Sequence, residues 1–311
     1  MSDCHAITGR RILITGPAGQ VARPVVARLA RDNEVFALAR YGKPEDEAAM
    51  RALGAVTIKA DLASSDLKAL VPGSLDYVLN YAVVKTGSFQ YDLAANGEGV
   101  GRLMLACGDV RAFVHFSSAA VYRYGGHGPR KESDPLGDNH RYLFPTYSIS
   151  KIAAETVVRF AAREFGIPAT IARFSVPYGD NGGWPYFHLL MMQQGRAIDV
   201  HPDRPNSYNL LHEDDYIEKI PALCAVADAE ATTLNFGGSQ QTSIEEWCEY
   251  LGELTGLAPV FKDNPRAFGS LAVDTSRMHE LIGPTAVDWH AGVLRMVRKL
   301  APQLLKPAYR Q

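Results

Sequence analysis

The run Arg11-Ile12-Leu13-Ile14-Thr15 passes directly into Gly16-Pro17-Ala18-Gly19-Gln20-Val21-Ala22, and an amphipathic stretch follows from Pro24 to Arg31. A short apolar strand, a glycine turn and a helix in that order leave little choice of fold. The glycines let backbone approach a pyrophosphate, and the helix N-terminus presents free N–H groups and the positive end of a dipole. The spacing is G-x-x-G-x-x-A, and Ala22 at the third small position still permits close packing of helix on strand.

The rest of the chain repeats that alternation. Glu34 to Ala39, Val56 to Ala60, a stretch within Leu75 to Val83, Ala112 to Ser118 and Ala169 to Phe174 read as further strands, separated by stretches of helical pattern. Such spacing predicts parallel βαβ units, hence an α/β doubly wound parallel sheet of the Rossmann type with a smaller C-terminal α/β substrate-binding lobe. The expected division is a dinucleotide-binding domain over 1-175, to which 208-240 returns in part, and a substrate lobe from 176-207 and 241-311. Ser175 to Gly179 reads as a break, strand alternation fades after Asn181, and a strand at Thr233 to Phe236, a capped helix from Thr242 and a last helix over Ala291 to Leu300 close the chain.

Composition narrows the function. A net charge of −2 with dispersed basic residues points away from nucleic acid and anionic membranes, and no apolar run approaches the length of a membrane span. A cytoplasmic protein acting on a small molecule is expected. Cys4, Cys107, Cys224 and Cys248 are too scattered for a disulfide framework or a metal site. His212-Glu213-Asp214-Asp215 reads as a helix start rather than a metal site.

Tyr147-Ser148-Ile149-Ser150-Lys151 is the candidate for chemistry. On a helix its first and last residues share one face, so an ammonium stands near a phenol and is expected to draw the phenol pKa down toward neutrality. Ser118, at the carboxyl end of its strand, falls where Tyr147 can reach, because that end faces the ligand crevice of a doubly wound sheet. Arg40, at the end of the second strand where an acidic residue would suit NAD, favours the 2′-phosphate of NADP. The long loop from Tyr122 to Thr146 reads as a lid or binding loop.

These parts, with Asp61-Leu62, Asn80-Tyr81-Ala82-Val83, Asn96, Ser117-Ser118-Ala119-Ala120-Val121-Tyr122 and Arg173-Phe174-Ser175-Val176-Pro177-Tyr178-Gly179, resemble the extended short-chain dehydrogenase/reductases, the NAD-dependent epimerase/dehydratase group. The resemblance implies Tyr147 as acid/base, Lys151 on the nicotinamide ribose and Ser118 on the substrate oxygen. It implies a dinucleotide held by Gly16, Ala18, Gly19, Gln20, Val21, Arg40, Asp61, Leu62, Ala82, Val83, Tyr147, Lys151, Phe174 and Val176. Lys85, Ser118, Tyr178 and Trp184 are the residues expected on the substrate, and a homodimer is expected from the family. Ala119-Ala120 stands where the dehydratases of the group carry carboxylates. Tyr208 stands where its nucleotide-sugar epimerases carry a diphosphate-clamping arginine. The reading favoured is an NAD(P)-dependent oxidoreductase of a small alcohol, carbonyl or sugar-like compound, with NADP preferred to NAD. An epimerase acting by transient oxidation and a non-catalytic NADP-sensing protein are the alternatives.

Overall fold

The computed structural model describes residues 7–310, so Cys4 lies outside the described residues. Seven strands, β1 (Arg11–Thr15), β2 (Glu34–Ala39), β3 (Val56–Lys59), β4 (Tyr77–Asn80), β5 (Ala112–Ser118), β6 (Ala169–Phe174) and β7 (Thr232–Phe236), form one sheet in the order β7-β6-β5-β4-β1-β2-β3. All neighbours are parallel. Parallel strands need crossovers, and these are supplied by helices that cover both faces. Alternation along β1 divides the two layers. Ile12 and Ile14 pack with Val25, Val26 and Phe116 on one face, while Leu13 packs with Phe36, Leu103, Met104 and Val158 on the other.

Strand order reverses between β1 and β4, and a crevice opens beyond their carboxyl ends. A buried chain of polar groups fixes this rim. Thr15 Oγ1 donates to Asn80 Oδ1 at 2.6 Å, and Asn80 Nδ2 donates to His115 Nδ1 at 2.9 Å. Burial, together with the nearby Lys151 charge, pushes the His115 pKa down to about 3, so the ring is neutral and can accept that bond.

A third core sits beneath the crevice, where Trp247, Leu251, Leu254, Val293, Met296 and Val297 pack against Tyr178, Leu189, Ile198 and Val200. The helix Ser276–Ile282 does not join it. Its Met278 and Ile282 pack instead with the β1 layer, as do Tyr216, Ile220 and Leu223. The expected break at Ser175 is brief, for Val176–Gly179 is itself a strand, pairing with Leu210–His212 on one side and Gly182–Gly183 on the other. Ile198–Val200 with Phe261–Asp263, and Ser207–Tyr208 with Thr242–Ser243, are further pairs. Strands of two or three residues are too short to show alternation in sequence. The capped helix runs over Ile244–Thr255, with the Ser243 hydroxyl and Glu246 carboxylate forming a reciprocal capping box.

Candidate active site

β5 delivers two consecutive serines, and strand alternation sends them opposite ways. Ser117 turns inward and donates to Glu155 at 2.7 Å; Ser118 turns to the crevice. The helix Tyr147–Phe165 starts alongside, placing Tyr147 and Lys151 one turn apart. Tyr147 and Ser118 both line the same cleft, where Ser118 acts on the phenol as a hydrogen-bonding neighbour.

Electrostatics at this pair depart from the sequence-based expectation. Burial raises the Tyr147 pKa, and the hydrogen bond from Ser118 only partly opposes the rise. Lys151 does not draw the phenol down, because its Nζ is turned to the Phe116 carbonyl at 2.8 Å. Burial also lowers the Lys151 pKa to about 8, with Glu155 opposing the shift and Lys85 adding to it.

Glu155, one turn beyond Lys151, is fully buried and holds a second cation. Arg173 meets it with two bonds, Nε to Oε1 at 2.9 Å and Nη2 to Oε2 at 2.7 Å. Arg173 Nη1 then reaches Tyr122 Oη at 2.9 Å and the Glu132 carbonyl at 3.1 Å. The long loop is thereby tied at its start and middle to the helix that carries Tyr147.

Before that helix, Thr146 gives its hydroxyl to Asp92 at 2.6 Å. Buried Asp92 also accepts from Thr86 Oγ1 at 2.7 Å and from the backbone N–H groups of Thr86 and Gly87. Next to it the helix widens into a π-helical turn, Ala94–Glu98, a feature common at functional sites. Within this turn Asn96 binds both backbone groups of Val84 and reaches Ser150 Oγ at 3.0 Å. These bonds hold Lys85 beside the phenol, with Nζ 4.4 Å from the Phe144 ring centre and 5.6 Å from that of Tyr147. His140 completes this wall, stacked on Phe268 at 4.0 Å, its pKa pushed down to about 4 by burial and the Lys85 charge.

Two cavities lie here, with the neighbouring residues Val84 and Lys85 on one each. One, of about 420 Å³, is lined by Ser118, Tyr147, Lys85, His140, Val176 and Trp184 among others. The other, of about 460 Å³, is lined by Gly16, Ala18, Arg40, Asp61, Leu62, Ala82 and Val83, with Val84 and Asn96 at its inner end. Gly16 has φ +62°, and a Cβ there would lie 3.0 Å from the Ala82 Cα, so only glycine keeps this cradle open. No side chain caps the helix Ala22–Leu29 that follows. Open backbone at the turn and uncapped N–H groups suit a pyrophosphate, and the residues present fit a dinucleotide. At the far end Arg40 Nη1 donates to Tyr91 Oη at 2.9 Å, and Tyr91 Oη donates to Asp61 Oδ2 at 2.7 Å.

Not every expected residue joins a cavity. Tyr178, expected on the substrate, is buried in the third core with its hydroxyl 3.4 Å from the Trp289 carbonyl and does not line the cleft. Phe174 is packed between Phe116 and Phe236, so any contact it makes with a ligand is through backbone. Gln20 lines the substrate-side cleft and is bonded to Asn181, while Gly19 and Val21 complete the turn behind it. Asp92, Tyr91, His140 and Phe268 were passed over in sequence. None falls in a motif, and only Asn96, four residues after Asp92, carried a signal. No group of His, Cys, Asp or Glu among the described residues could hold a metal ion, and no helix among them is long and apolar enough to cross a membrane.

Comparison with known proteins agrees with this fold. The dTDP-4-dehydro-6-deoxy-D-allose reductase of a Streptomyces species is 27% identical over 316 residues, 93% of this chain and 96% of its own. A trifunctional UDP-glucose 4,6-dehydratase/UDP-4-keto-6-deoxy-D-glucose 3,5-epimerase/UDP-4-keto-L-rhamnose-reductase of Arabidopsis thaliana is 26% identical across 92% of this chain, which spans 46% of that protein's length. The UDP-glucuronic acid 4-epimerase of Bacillus cereus, solved with UDP-glucuronic acid and NAD, superposes with a TM-score of 0.79 at 21% identity, covering 93% of this chain and 98% of its own. The model of the NAD-dependent epimerase/dehydratase family matches residues 12–237, which hold nearly the whole sheet. The chain belongs to the NAD-dependent epimerase/dehydratase family.

Proposed function

We propose that the chain is an NAD(P)-dependent oxidoreductase that interconverts a secondary alcohol and its carbonyl compound, with Tyr147 as acid/base. What supports this reading is that Tyr147 and Ser118 line one cleft. It adjoins a dinucleotide-sized cavity, from which Val84 leads directly to Lys85. A bound nicotinamide supplies or accepts the hydride. Tyr147 gives the proton to the carbonyl oxygen, or takes it from the alcohol, while Ser118 donates to the oxygen on which charge develops. The raised phenol pKa favours the protonated form, which reduction requires. Lys151 holds the ribose and returns charge to the site. The test is nicotinamide absorbance with NADPH and NADH against a panel of ketones, aldehydes and free or nucleotide-linked sugars. Absence of oxidation or reduction across it sinks the reading.

The same reading assigns residues 1-175 and part of 208-240 to the dinucleotide and 176-207 with 241-311 to the substrate lobe, less the helix Ser276–Ile282. A cytoplasmic homodimer goes with it, supported by the exposed Leu105, Phe160 and Phe165. An epimerase is the second reading, favoured by the Bacillus cereus neighbour. Cofactor that stays with the purified protein through turnover would favour it.

NADP is preferred because Arg40 stands at the end of this cavity, bonded to the Tyr91 hydroxyl and with no carboxylate ion-paired to it among the described residues. Arg40→Ala is expected to raise the KM for NADPH by roughly 10- to 100-fold, the worth of a charge-assisted bond, and to leave NADH within about threefold. Tyr91→Phe should move NADPH in the same direction by less. Equal losses for both cofactors would overturn the preference. Turnover is also expected to decline as pH rises through about 8, where buried Lys151 loses its proton. A pH profile flat to pH 9.5 would remove Lys151's charge from the mechanism.

A further inference from the structure

The cleft beside Tyr147 is walled by rings. Phe144, Trp184, Phe187, Tyr208 and Phe268 line it, together with a single cation, Lys85. Phe187 is 57% exposed and Phe144 36%, a costly disposition for such side chains unless a ligand covers them. Trp184, Phe187 and Phe268 also line a smaller cavity of about 160 Å³ behind, so the apolar wall continues away from the hydroxyl pair.

The charges a diphosphate requires lie elsewhere. Such a group carries at least two negative charges and is held by guanidinium forks or several donors. No arginine lines the cleft among the described residues, and Lys85 rests over two ring faces. Arg123 and Arg141 line a separate cavity of about 430 Å³ together with Asn139, Ala267 and Gly269. The sequence neighbours of His140 and Phe268 thus face that cavity while His140 and Phe268 face the cleft, and their stack at 4.0 Å is the partition. Arg266 lies over the Tyr142 ring, at 5.8 Å.

We propose that the substrate is an apolar, ring-bearing secondary alcohol or its ketone without a diphosphate, its ring laid against the wall that Trp184, Phe187 and Phe268 form and its oxygen between Tyr147 and Ser118. This rests on the oxidoreductase reading and departs from the nucleotide-linked sugars in the relatives' names. In the reducing direction the carbonyl carbon gains a hydride from the reduced nicotinamide and the oxygen gains a proton from Tyr147. Ketone and reduced cofactor become alcohol and oxidised cofactor. Tyr147 then recovers a proton from solvent.

The probes are α-tetralone and UDP-glucose, tested on the full chain with NADPH, and separately NADH, present. Binding is read from tryptophan fluorescence and calorimetry, turnover from nicotinamide absorbance. α-Tetralone is expected to bind and be reduced, and UDP-glucose to bind at least about tenfold more weakly. Phe187→Ala, an exposed change that the core does not feel, should raise the KM for α-tetralone by about tenfold with kcat within about threefold, as for loss of apolar contact in a pocket. An unchanged KM in that variant would overturn the proposal. So would tighter binding of UDP-glucose, especially if Arg141→Ala abolished it. α-Tetralone that binds and responds to Phe187→Ala but is never reduced would uphold the ring-ligand class and sink the oxidoreductase reading instead.

Discussion

Replacing Tyr147 by Phe is expected to lower turnover by a factor of order 10² to 10⁴, the usual worth of a positioned general acid. The variant keeps the ring packed against His140 and Phe144 and loses only the hydroxyl. Affinity for the dinucleotide should stay within about threefold, because the adenosine cavity lies on the far side of Val84. The measurements are kcat and cofactor Kd on the same preparation. Wild-type turnover in the variant would take Tyr147 out of the chemistry, whereas equal losses in kcat and cofactor affinity would make it a structural residue.

The largest stability effect is expected at Glu155. Removal of one partner from a buried pair leaves an uncompensated charge, and Glu155→Ala would leave Arg173 at 2% exposure with half of its donors unmet. The expected cost is about 3–5 kcal/mol, read as a fall in the denaturant midpoint at unchanged slope. Removing both charges, as in Glu155→Leu with Arg173→Met, should cost less than the single change. The pH dependence has a definite sign. Burial raises the Glu155 pKa, but the bonds and charge of Arg173, with Ser117 and Arg159, outweigh it and the net shift is downward. A carboxylate depressed on folding contributes stability above its unfolded pKa, so that contribution is present above about pH 4.5 and is lost as pH falls below it. The disadvantage of the single variant should therefore narrow as pH falls below about 4.5, and a gap that stays constant from about pH 7 down through the acid range would contradict the role given to this pair.

The sheet was legible because its strands are continuous apolar runs bounded by turns; β5 and β6 fall where the alternation put them. The cavity over the first glycine turn was legible for a similar reason, since Gly16, Arg40, Asp61 and Ala82, which line it, each sit at or just beyond a strand end. The cleft was harder to read. Tyr178 comes soon after β6 in sequence, much as Ser118 closes β5, yet it lies inside the short strand Val176–Gly179, which turns the ring into the third core. Conversely, His140 and Phe268 come from loops 128 residues apart, and only the packing of those loops makes them one wall. The downward pull of Lys151 on Tyr147 failed because spacing fixes which face a side chain shares, not which carbonyl its ammonium finds.

Asp92 grips both the backbone beside Lys85 and the residue before Tyr147. With one carboxylate clamping the two segments, the cleft has no hinge between its cation and its phenol. The opposite bank carries no such clamp to Lys85 or Tyr147, and there the exposed Phe187 ring marks the open side of the cleft.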